Sequence, residues 1–77
     1  MTLAINSRYL AYARAHGETP DGMLAADRER WRGGSMTGFT IWIDGKWREW
    51  CEANFRPRSA LTDADHAAFD AWLGVVA

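Results

Sequence analysis

The chain has 77 residues, five of them Trp, and nine basic against ten acidic side chains give it a formal charge of −1. That length holds one small domain, residues 1–77, and no second core. The balanced charge removes the general electrostatic case for nucleic acid or an anionic membrane as partner. A single cysteine, Cys51, allows no intrachain disulfide, whereas a secreted chain this short ordinarily carries several. The opening residues Met1 to Asn6 show neither a basic leader nor a long apolar run, and no stretch approaches the ~18 apolar residues of a membrane span. The expectation is a cytoplasmic protein with no membrane partner.

In chain order, the first predicted helix covers residues 7–17, with Tyr9, Leu10, Ala13 and His16 on one face. Asn6 or Ser7 can cap its start, and Gly17 can take the left-handed conformation that ends it. Thr19-Pro20-Asp21 opens a second helix, with Thr as cap, Pro where no N–H is needed and an acid facing the dipole. That helix carries Met23, Leu24, Ala26 and Trp31, with Asp27, Arg28, Glu29 and Arg30 outward, until Arg32-Gly33-Gly34-Ser35 stops it.

The middle of the chain admits two forms. As a helix, Met36, Phe39, Ile43, Trp47 and Trp50 recur every three or four residues and make a continuous stripe. As a hairpin, the β-rich run from Gly38 to Ile43 would turn at Asp44-Gly45 into Lys46 to Cys51. A strand from Phe39 to Ile43 followed by a helix capped by Asp44 is the compromise. The helix is favoured because it keeps Trp47 and Trp50 on one face, where strand alternation would split them.

Pro57 marks a loop. The last helix then opens with Thr62 as cap and Asp63 and Asp65 in its first turn. Ala68, Phe69, Trp72 and Leu73 form its stripe, Gly74 ends it, and Val75 and Val76 can fold back over it. The expected architecture is all-α, a compact bundle of about four short helices; the alternative is α+β with a strand or hairpin around Gly38 to Cys51.

For chemistry the chain offers little. His16 and His66 are the only histidines, and no nucleophile elbow, phosphate-cradling glycine loop or paired metal-ligand spacing accompanies them or Cys51. No catalytic residue, metal or cofactor is therefore expected; Cys51, beside Trp47 and Trp50, reads as a small buried hydrophobe.

Binding residues are better represented. Arg28, Arg30 and Arg32 cluster around Trp31, and Arg48, Arg56 and Arg58 lie near Trp50 and Phe55, a mixture of phosphate-contacting and stacking groups. Asp27, Glu29, Glu49 and Glu52 interrupt both clusters, and pairs such as Asp27 with Arg30 or Arg48 with Glu52 would make them ordinary mixed-charge faces. The aromatic surplus points instead to a protein partner, because Trp, Tyr and Arg are the residue types of interface hot spots. Trp47, Trp50 and Trp72 are assigned to the core, and Trp42 is the best candidate for exposure.

The order of Thr19-Pro20-Asp21-Gly22-Met23-Leu24, Asp27-Arg28-Glu29-Arg30-Trp31, Gly33-Gly34-Ser35-Met36-Thr37-Gly38-Phe39, Trp42-Ile43 and Trp47-Arg48-Glu49-Trp50 resembles that of small helical proteins encoded in bacteriophage and prophage genomes. The resemblance spans roughly Tyr9 to Leu73 and implies a small helical accessory factor, some of which occupy a surface of a host protein; it transfers no functional residue. The expected function is a non-enzymatic module that docks on a host or phage protein through Trp31, Trp42, Arg28, Arg32, Arg56 and Arg58. The alternative is a small nucleic-acid-binding protein using the Arg clusters around Trp31 and Phe55.

Overall fold

The structure, a computed structural model, describes residues 3–74, with side chains from Ser7 onward. Four helices run in order: α1 Leu3–Ala15, α2 Pro20–Arg30, α3 Thr37–Asn54 and α4 Asp63–Leu73. No strand occurs among the described residues, so the α+β alternative is set aside. Val75 and Val76 lie outside the described residues.

Helix α1 begins earlier than its caps suggested. Asn6 and Ser7 lie inside it and not at its start, because the helical run extends upstream to Leu3. Its end is as expected: Gly17 sits at φ 68°, and the Glu18 N–H returns to the Ala13 carbonyl at 2.9 Å. The Thr19 hydroxyl caps α2 by accepting the Gly22 N–H at 3.1 Å. At its other end Arg32 (φ 53°) and Gly33 (φ 93°) are both left-handed, and the chain turns there into α3. Helix α4 opens on a reciprocal box in which the Thr62 hydroxyl accepts the Asp65 N–H and the Asp65 carboxylate accepts the Thr62 N–H.

Asp44-Gly45, the turn signal of the hairpin, lies in mid-helix in α3. Helical spacing prevailed because it alone buries Trp47, Trp50 and Cys51 together with half-buried Phe39 and Ile43. Met36, expected in that stripe, is instead the exposed residue before the helix.

The core has two parts. Tyr9, Tyr12, Ala13 and Met23 form one, with Leu24, Phe39 and Trp42 packed against it; Trp47, Trp50, Cys51 and Phe69 form the other, with Ile43, Leu61 and Leu73. In the second, the Trp47 ring lies 3.6 Å from that of Phe69 with the planes 8° apart. Helix α1 packs on each of the other three. It reaches the second cluster through Arg8, whose Nε donates to Asp70 Oδ1 at 2.6 Å while its guanidinium lies 5.5 Å from the Trp47 ring.

Asp27 overturns its assignment as an outward charge. It is fully buried, and the Tyr12 hydroxyl donates to its Oδ2 at 2.7 Å. The physical reason lies in α3. Gly38 has no side chain, so the Tyr12 hydroxyl, Asp27 and the Trp31 indole all close on the space a Cβ would fill. Such a Cβ would stand 2.6 Å from Tyr12 Oη, 3.1 Å from Trp31 Nε1 and 3.2 Å from Asp27 Oδ2.

The two glycines of α3 therefore differ in sign. Gly38→Ala is expected to destabilise by about 1–3 kcal/mol through overpacking. Gly45→Ala, whose Cβ would meet nothing within 4 Å, is expected to stabilise by about 0.5–1 kcal/mol. Urea denaturation of both variants checks the pair; equal effects would refute the geometry at Gly38.

Candidate functional site

The six residues expected at the binding surface fall in three places. Arg28, Trp31 and Arg32 stand at the α2–α3 corner, Trp42 lies midway along α3, and Arg56 and Arg58 follow its far end. Helix α3 has 18 residues, which at ~1.5 Å each is about 27 Å from end to end. Arg56 and the α2–α3 corner thus lie toward opposite ends of α3, while the Arg58 guanidinium turns back over Trp47 toward the middle of the helix.

At the corner, Trp31 caps α2 and donates its backbone N–H to the Asp27 carbonyl at 2.8 Å, with 38% of its surface exposed. Met36 and Ile41 are also exposed. Beneath Trp31 lies the buried polar group: Asp27 Oδ1 and Tyr9 Oη have no hydrogen-bond partner among the described residues. Burial, and then the hydrogen bond to Asp27 and its charge, push the Tyr12 hydroxyl up to about 12. Burial and the same carboxylate raise Tyr9.

Trp42 is not the exposed ring it was expected to be. It is half-buried against Tyr12, 5.4 Å between ring centroids, because position 42 follows the Phe39 turn of α3 onto α1. Trp72, assigned to the core, is instead 49% exposed. Phe69 takes the inward position on α4, and Trp72 three residues later packs against its outer side, 5.8 Å between ring centroids with the planes 36° apart.

The far end of α3 holds the residue that stands out. Phe55 closes the helix with φ 55° and ψ 42°, a left-handed conformation in which glycine is ordinarily found, and 92% of its surface is exposed. The Arg56 N–H returns to the Cys51 carbonyl at 3.0 Å, completing the turn that imposes this conformation. Around it, Arg56 bonds Asp65 at 3.0 Å, Arg48 bonds Asp44 at 2.9 Å, and Arg58 lies 5.1 Å from the Trp47 ring. These arginines, with Cys51, Asp44 and Glu52, line a hollow of about 300 Å³. The backbone N–H of Thr62 and the Arg56 guanidinium hold the Asp65 carboxyl below the usual range.

Two expected pairings, Asp27 with Arg30 and Arg48 with Glu52, are replaced by Asp27 with Tyr12 and Arg48 with Asp44. His66 packs on Trp47 at 4.8 Å and lies 3.2 Å from Arg8 Nη2, and His16 meets the Tyr12 carbonyl at 2.9 Å. Among the described residues no three His, Cys, Asp or Glu side chains are grouped to hold a metal ion. No described helix is long and apolar enough to cross a membrane.

The chain matches no protein-family model, no curated protein and no solved structure.

Because the two tyrosines, Tyr9 and Tyr12, are both raised, a native sample is expected to develop little phenolate absorbance at pH 10.0, the ordinary tyrosine value. The sign follows from the shift: the neutral hydroxyl is favoured by folding, so its stabilisation is whole below pH 10.0 and is lost as pH climbs toward about 12. Urea unfolding across that window checks this, and Tyr12→Phe should flatten the alkaline loss.

Proposed function

We propose that this chain is a non-enzymatic protein-binding module, an accessory factor of the phage or prophage kind, that acts in the host cytoplasm by docking on a host or phage protein. The docking face is the far end of α3, where Phe55 projects next to Arg56, with Arg58 turned back over the Trp47 ring. The exposed left-handed Phe55 is the observation that carries this reading.

The cost at that position is physical. A non-glycine residue in the left-handed region is disfavoured by roughly 1–2 kcal/mol, and an exposed ring recovers almost none of that by burial. Glycine would serve the turn better on both counts. A ring kept where the fold gains nothing from it gains its value when a partner covers it, and aromatic and Arg side chains are enriched at the centres of protein interfaces. The hydrogen bond from Arg56 to Asp65 and the seat of Arg58 over Trp47 hold the neighbouring cations in place.

The same argument sets nucleic acid second. Arg28 and Arg32 flank the start of α3, whereas Arg56 follows its end and Arg58 turns back over the Trp47 ring. Arg56 is already bound to a carboxylate.

Phe55→Gly separates stability from binding. It is expected to raise unfolding stability by about 1 kcal/mol and to weaken capture of the partner by tagged protein in host lysate. Unchanged capture of the same partner would refute the docking face. Binding that survives this substitution but collapses with added salt would favour the nucleic-acid reading.

A further inference from the structure

We draw no further inference here: the strongest candidate, the open cleft beside Trp42 and Trp72 between the end of α1, the middle of α3 and the end of α4, carries none because Lys46 already lies over both indoles and nothing in the structure shows what else covers them.

Discussion

A helix about 27 Å long cannot be covered by one aromatic cluster in a chain of this size, and α3 is that helix. The consequence is a core in two parts, one gathered around Tyr12 and one around the stacked rings of Trp47 and Phe69. Neither part is large, and what unites them is α1. Its Tyr9, Tyr12 and Ala13 fill the first cluster, while its Arg8 extends to Asp70 and the Trp47 ring in the second. The closeness of α1 to α3 depends in turn on Gly38, where any side chain would displace the Tyr12 hydroxyl.

The cations of this protein are largely occupied by its aromatic rings and its acids. Arg8 and Arg58 lie near Trp47, Lys46 lies near Trp42 and Trp72, and Arg48 and Arg56 hold Asp44 and Asp65. Such contacts let large rings remain at the surface with a charged cover over their faces. An arginine excess in the sequence therefore translates here into local packing more than into a field that would attract phosphate. Among the described residues Phe55 is the most exposed large ring and stands in a turn that disfavours it, which is why it carries the functional argument.

Much of the fold was legible because its signals are local. Thr19-Pro20, the Thr62 and Asp65 box, Gly17 and Gly74 each set a helix end through bonds within a few residues, and each lies where the sequence placed it. The helical period of Phe39, Ile43, Trp47 and Trp50 also outweighed the Asp44-Gly45 turn signal. What escaped depends on other elements. Asp27 looks like one more charge in a mixed run, and only the meeting of Tyr12 and Gly38 buries it. Trp42 and Trp72 exchange their expected places because α1 covers one and nothing among the described residues fully covers the other. The binding residues were read as one surface although α3 holds them apart. Phe55 carried a readable signal: a helix stop at a position with no glycine leaves a bulky residue in a left-handed turn.

The division of the core also sorts its chromophores. The two tyrosines both belong to the first cluster, and the two fully enclosed indoles, Trp47 and Trp50, both belong to the second. Phenol is thus confined to the first half, whereas indole is shared, since Trp42 packs on Tyr12. Phenolate absorbance therefore follows the first half by itself, and its lag or lead relative to the shared indole signal measures how tightly α1 couples the two.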